Sequence, residues 1–166
     1  MAYYLNLEGT ALDAHKRMID ELTKKAVEQL RLPPDQLTVR MLRPQDLGLP
    51  NGASTFNVAT ANADNAIVSA QVIADNRFVG INGVLIGESG TSVVTQLRIS
   101  RAGKDKRIWQ IQDINFTESN IVWFDDPVII EQNMPITINA YALATDAEWR
   151  ATFLGAVVEK KGLLVD

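Results

Sequence analysis

The sequence predicts a mainly β protein, an antiparallel β-sandwich with a jelly roll as the expected topology, preceded by one amphipathic α-helix. Beyond Pro34 the apolar residues alternate with a period of two, in short runs about 8–12 residues apart. No helical pattern separates these runs, which excludes parallel α/β folds because they need a crossover helix between strands. The 166 residues, 46% of them apolar, suffice for one domain of this kind, and a jelly roll is the most economical way to close so many strands.

The helix is predicted over residues 10–31. Thr10 and Asp13 form an N-terminal capping pair, and the break at residues 32–34 (LPP) ends the helix because a residue before proline avoids the helical region. One face carries apolar side chains and a histidine at three- and four-residue steps: Leu12, His15, Ile19, Leu22, Ala26 and Leu30. This stripe must be buried, either on its own sandwich or on a neighbouring subunit.

We expect an N-terminal arm and helix at residues 1–36, followed by a β-sandwich domain at 37–166. The arm suits docking on a neighbour, and closed symmetric association is common for such domains. We therefore predict a homo-oligomer, with a trimer favoured. Its subunit contact would use the helix residues Leu12, Ile19, Leu22 and Leu30.

The strands are predicted from alternation bounded by turn residues. The first, 37–42, places Leu37, Val39 and Met41 on one face and is closed by Pro44. The remaining candidates are 56–59, 66–74, 77–87, 91–100, 106–114, 119–124, 128–131, 135–144 and 149–158. Turn chemistry separates them, including residues 102–105 (AGKD) and the Asp126-Pro127 pair.

Composition excludes most catalytic and metal chemistry. The chain has no cysteine and one histidine, so disulfides, zinc fingers, iron–sulfur sites and thiol nucleophiles lack their residues. A net charge of −4 argues against a dedicated nucleic-acid-binding domain, which needs a basic face. The N-terminus has neither a basic start nor a long apolar run, so no signal peptide or membrane span is expected. We predict that the protein is not an enzyme and takes no cofactor.

Three possible sites each have a simpler structural explanation. His15 lies on the apolar side of the helix without a nucleophile or orienting partner, which favours packing over general-base chemistry. Ser89, in the run GESGT at 87–91, lacks the strand-to-helix context of a nucleophile elbow and fits a turn. Asp125 and Asp126 form the densest acidic stretch; a turn is the favoured interpretation, and a calcium site is the alternative.

Five basic residues lie close together around Gly103 and would form a positive hairpin tip on an acidic protein: Arg98, Arg101, Lys104, Lys106 and Arg107. A solvated hairpin is the default interpretation. The functional alternative is a docking point for an acidic partner, or for packaged nucleic acid held without sequence specificity.

The last third of the chain resembles single jelly-roll structural proteins of tailed and membrane-containing phages, including capsid, cement and decoration proteins. The resemblance lies in residues 122–133 (VWFDDPVIIEQN), 136–141 (ITINAY) and 153–162 (FLGAVVEKKG), and extends over roughly 75–166. The closing strand of such proteins often reads Leu-Gly-x-Val-Val-Glu, then a basic residue or proline, then glycine. It implies a virion location, synthesis in the host cytoplasm, and the major capsid protein or other virion proteins as partners.

The favoured hypothesis is therefore a phage virion structural protein, of the capsid cement, decoration or minor capsid type, which acts through protein–protein contacts. The alternative is a carbohydrate- or ligand-binding β-sandwich module, such as part of a phage fibre. It is motivated by the acidic pair Asp125 and Asp126 and by three tryptophans on separate strands, Trp109, Trp123 and Trp149. Core positions for these rings are expected from their apolar neighbours.

Overall fold

A computed structural model describes residues 8–50, 55–87, 93–111 and 120–163, apart from the side chains of Asp105 and Lys106. The helix α1 spans Gly9–Leu30, and two short 3-10 helices span Pro34–Gln36 and Pro44–Leu47. The strands are β1 (Leu37–Met41), β2 (Thr55–Val58), β3 (Ala63–Val72), β4 (Arg77–Ile86), β5 (Val94–Arg101), β6 (Lys104–Gln110), β7 (Ile121–Ile130), β8 (Pro135–Ala142) and β9 (Asp146–Lys160). The chain is mainly β, as predicted.

The strands form two antiparallel sheets. The five-stranded sheet has the order β1-β9-β4-β7, with β2 also paired to β9, and the four-stranded sheet has the order β3-β8-β5-β6. In chain order the β5–β6 hairpin is innermost. It is enclosed by the pair β4–β7, then by the pair β3–β8, and last by β1 and β2, which both pair with β9. Successive nested pairs alternate between the sheets, which is the connectivity of a jelly roll. The predicted β-sandwich is confirmed.

The five-stranded sheet is buried on both faces. Its inner face packs against the four-stranded sheet around residues such as Val79, Ile81 and Val157, while its outer face carries Phe78 and Val158 under the helix. The protein thus has three layers, one helix and two sheets, with a core between each adjacent pair.

Glycines let the layers approach closely. A Cβ added to Gly80 would lie 2.6 Å from Met18 Sδ and 3.0 Å from Leu22 Cδ1, so the helix rests directly on this part of β4. A Cβ on Gly155 would lie 1.8 Å from the Gly80 carbonyl oxygen. At Gly155 the obstacle is backbone, so a larger residue would separate β9 from β4, whereas at Gly80 the side chains of Met18 and Leu22 would have to shift.

The helix is confirmed, but its cap and buried face differ from the prediction. Glu8 is the N-cap, without a side-chain capping bond, and Thr10 lies inside the first turn; the predicted Thr10–Asp13 cap is wrong. The fully buried stripe is Ala14, Met18, Leu22 and Ala26, at a regular four-residue step. The predicted stripe shares Leu22 and Ala26 with it. The small Ala14 and the flexible Met18 have a weaker hydrophobic signal than Leu12 and Ile19, which lie at the flank.

The predicted break at Asp126-Pro127 is also wrong, because β7 runs through it. Between the pairs Ile81–Val128 and Gly83–Trp123, β7 advances by five residues and β4 by two. The extra residues form a bulge on a strand that has one neighbour among the described strands. Proline is tolerated at such a bulge because no ladder hydrogen bond is required from it. Across the described residues, no helix is both long and apolar enough to cross a membrane.

Candidate functional site

The predicted basic cluster belongs to the β5–β6 hairpin. Ala102 and Gly103 both have positive φ, 50° and 77°, as a two-residue type I′ hairpin turn requires. The hairpin register pairs Arg98 with Ile108 and Ile99 with Arg107. Since successive residues point to opposite faces, Arg98 lies on the outer face of the four-stranded sheet, whereas Arg107 lies on the same face as the buried Ile99.

The cluster is therefore divided rather than continuous. On the outer face, Arg98 makes an ion pair with Asp64 at 3.4 Å. Lys104 is exposed at the tip, and the side chain of Lys106 lies outside the described residues. The remaining two arginines, Arg101 and Arg107, turn towards the other sheet. Docking of an acidic partner or of nucleic acid stays a prediction, with three of its five side chains engaged within the chain.

Arg101 and Arg107 cap the open edge of β7. Arg101 Nη1 donates to the carbonyl of Ile129 at 2.6 Å, and Arg107 Nη2 donates to the carbonyl of Asp126 at 2.6 Å. Arg107 also lies over the ring of Phe124, 5.1 Å from its centroid. Edge strands expose unpaired backbone groups that invite further pairing, and these side chains occupy two carbonyls of that edge.

A polar cleft of about 260 Å³ lies between the helix, this hairpin and β7. Its charged lining residues are Glu21, Arg101 and Asp126. Beside the helix, Lys25 Nζ donates to Glu131 at 2.9 Å and Gln29 donates to the same carboxylate. The hydrogen bond from Lys25 and, to a smaller extent, the one from Gln29 lower the pKa of Glu131. The contacts fasten α1 to the end of β7.

His15 packs inside the chain, in agreement with its expected structural role. Its Nδ1 lies 3.0 Å from Nδ2 of Asn82, and its ring meets Trp123 edge-on at 6.1 Å between centroids. Burial lowers the pKa of His15, and the hydrogen bond with Asn82 opposes that shift. Asn82 is 1% exposed, and its Oδ1 has no hydrogen-bond partner among the residues that the structure describes. It lies opposite the β7 bulge, where the ladder is interrupted.

A buried ionic cluster closes one end of the sandwich. Arg40 binds Asp46 at 2.7 Å and Glu159 at 2.9 Å, and Arg77 binds Glu159 at 3.0 Å. Two cations face two carboxylates, so no net charge is buried. Hydrogen bonding to Asp46, opposed by burial and supported by Glu159, raises the pKa of Arg40 further above its usual value.

Sequence reasoning missed this cluster, although one signal was present. Glu159 follows Val157 by two positions in a strand, so it shares the inward face of an apolar residue. A carboxylate at an inward position needs a cationic partner. The identity of that partner depended on the pairing of β9 with β1 and β4.

The acidic pair and the tryptophans give no support to the alternative function. Asp125 and Asp126 are exposed in the β7 bulge, and Arg107 lies 3.3 Å from the Asp126 carboxylate. Within the part of the chain that the structure describes, no group of three or more His, Asp or Glu side chains could hold a metal ion. Trp109 and Trp149 are buried, and the ring of Trp109 stacks on Phe124 at 4.5 Å. They do not form an exposed row for sugars. Ser89 lies outside the described residues.

The helix face predicted to contact another subunit is used within the chain. Leu22 is fully buried against the sheet, and Ile19 and Leu30 pack partly buried around the same cluster. Leu12 is half-buried at the flank. A helix-mediated oligomer stays a prediction, but the burial that motivated it is already provided by the chain's own β4, β7 and β9.

Comparisons with protein-family models, with curated proteins and with solved structures find no match to this chain.

Proposed function

We propose that this protein is a structural subunit of a phage virion, of the capsid cement, decoration or minor capsid type. The observation that carries the proposal is the nested strand pairing of a jelly roll, in which β9 joins β1, β2 and β4 into one sheet. The run FLGAVVEKKG, one of the three segments that resemble phage jelly-roll proteins, lies in β9 and the turn that follows it. The partners would be the major capsid protein or other virion proteins, met after synthesis in the host cytoplasm.

The charges of the described structure suit a scaffold. Glu159 forms ion pairs with Arg40 and Arg77 at the end of the sandwich. Glu131 forms an ion pair with Lys25 of the helix. These ion pairs hold neighbouring elements together. A subunit whose polar side chains fix its shape can present rigid surfaces to neighbours, and rigid surfaces lower the entropic cost of association.

Fractionation of particles tests the proposal. Particles induced from cells that carry the gene are banded by density and digested for quantitative mass spectrometry, and the purified chain is added to shells that lack it. We expect the chain to co-band with the major capsid protein in a fixed ratio and to rebind the depleted shells. A chain recovered only in the particle-free fraction, with no binding to shells, would refute a virion role.

A matched pair of variants locates the contact with the shell. Lys104→Glu changes the exposed tip of the β5–β6 hairpin, and Lys160→Glu changes an exposed lysine at the end of β9. If the hairpin docks on an acidic shell protein, only Lys104→Glu weakens rebinding, and added salt weakens rebinding of the unmodified chain. Equal rebinding by both variants would move the contact away from the hairpin.

A further inference from the structure

We infer that β1 is a self-pairing edge, through which two copies of this chain join their five-stranded sheets across a two-fold axis. Among the described strands, β1 lies at the end of its sheet with β9 on one side only. Leu42 N–H bonds to the carbonyl of Gly155 on β9. Because backbone groups alternate in direction along an antiparallel strand, those of Val39 and Met41 point away from β9 to the open edge.

The two edge strands of this sheet, β1 and β7, differ in the side chains that lie along them. Arg101 and Arg107 occupy carbonyls of β7, as described above. At β1, in contrast, Val39 is 48% exposed and Met41 is 58% exposed, side by side on one face. An edge strand with adjacent exposed apolar side chains is the usual template for pairing with another chain.

The backbone groups of β1 are self-complementary about Val39. In a two-fold antiparallel register, Val39 faces its own copy and Leu37 faces Met41 of the other chain. Leu37 N–H is already bonded to the carbonyl of Pro34, and the Met41 carbonyl already accepts from Arg40 Nη1 at 3.2 Å. In this register the Leu37 N–H of one chain and the Met41 carbonyl of the other, which are both already bonded, would face each other. The groups that remain supply four interchain bonds, two between the Val39 residues and two from Met41 N–H to the carbonyl of Leu37.

The side chains agree with the same register. Leu37, Val39 and Met41 lie on one face, so apolar residues oppose apolar residues. Asp35 precedes the strand and Arg43 follows it, and both are exposed. The two-fold axis brings Asp35 of one copy to the end where Arg43 of the other lies, so opposite charges meet at both ends. The occupant that fits this edge is therefore a second copy of the same chain.

This contact differs from the trimer predicted from the helix alone. It uses the exposed side chains of Val39 and Met41, and it leaves Leu22 in its own core. A single strand pair is at the small end of protein interfaces, so the association should be reversible and concentration-dependent. The inference is independent of the proposed virion role, since either can fail while the other holds.

Sedimentation velocity of the full-length chain over a wide concentration range tests the inference. We expect a monomer–dimer equilibrium that Val39→Pro abolishes. Proline suits this position because the alternation of the β1–β9 ladder directs the Val39 N–H away from β9. Met41→Lys should raise the dissociation constant about tenfold or more, since the two-fold axis places the substitution in the contact twice. The matched control Leu143→Lys, at a residue 55% exposed directly after β8, should leave it unchanged.

Charge reversal gives a second test that leaves the strand intact. Asp35→Lys and Arg43→Glu should each weaken the dimer, and the double variant should recover most of the loss. A wild-type monomer at every concentration, a trimer, or a dimer indifferent to Val39→Pro would overturn the inference. Binding to capsid shells by a chain that stays monomeric would overturn it while leaving the proposed function standing.

Discussion

Truncation of Leu22 to alanine is the sharpest test of whether the helix belongs to the core of its own chain. Leu22 is fully buried, and its Cδ1 lies above Gly80 on β4. The substitution removes three carbons from a site enclosed by Met18, Phe78 and Val158. Alanine favours helix more than leucine does, so any loss of stability comes from packing and not from helix propensity.

The expected cost follows from the completeness of that burial. Leucine-to-alanine changes at fully buried sites lower the free energy of unfolding by about 2–5 kcal/mol, with larger values where the surroundings cannot collapse. Collapse is limited here because a sheet supports the site from below. A chain of this size loses roughly 2–4 °C of melting temperature per kcal/mol, so the melting temperature should fall by about 4–20 °C.

Two probes followed together in a denaturant titration measure the effect. Far-ultraviolet circular dichroism reports on α1. Tryptophan fluorescence reports on Trp109 and Trp149 in the core between the sheets when Trp123, which packs edge-on against His15 of the helix, is replaced by phenylalanine in both proteins. If the helix is part of one cooperative unit, both probes give one transition, shifted equally by the substitution. Leu143→Ala, at an exposed position, should change the midpoint little.

Two outcomes would refute this reasoning. A loss below about 1 kcal/mol would be too small for a large-to-small change in a packed core. A helix transition separate from the tryptophan transition would show that α1 detaches on its own, as an arm that docks on a neighbour would. Either result would favour the predicted role of Leu22 in a contact with another subunit.

Three further perturbations have clear expected results. Glu159→Gln should destabilise the fold by about 3–5 kcal/mol in thermal melts, because it removes the buried carboxylate that pairs with both Arg40 and Arg77; a change under 1 kcal/mol would contradict this. Since burial lowers the pKa of His15, the unfolded chain binds its proton first and stability should decline as the pH falls below 6.5. His15→Gln should flatten that part of a stability–pH profile, and an unchanged slope would argue against it. Gly155→Ala should yield little soluble protein, because its Cβ would meet the Gly80 carbonyl oxygen; normal expression and melting would show that β4 and β9 can separate there.

Matched controls keep these results specific. Glu28→Gln alters an exposed carboxylate on α1 and should leave the melting temperature nearly unchanged. Below pH 4.5 Glu131 also contributes, because the bond from Lys25 lowers its pKa and its stabilising effect is lost as it takes up a proton. The His15 effect must therefore be measured above pH 5.

The sequence determined the fold class because periodicity depends on local geometry alone. Alternation with period two identified nearly every strand, and Leu32-Pro33-Pro34 set the end of the helix within one residue. The same reasoning failed at Pro127, which it treated as a strand break. Proline is compatible with a bulge on an edge strand, and whether β7 is an edge depends on its neighbours in the sheet.

Tertiary structure alone decided which charges meet and which surfaces stay open. Arg40 and Glu159 are 119 residues apart in the chain, and only the pairing of β1 with β9 brings them together. Arg98 and Arg107, close in sequence, are separated because they lie on opposite faces of one hairpin. Composition and spacing describe what a segment can bury, whereas partners and exposed edges follow from strand order, which depends on contacts between distant residues.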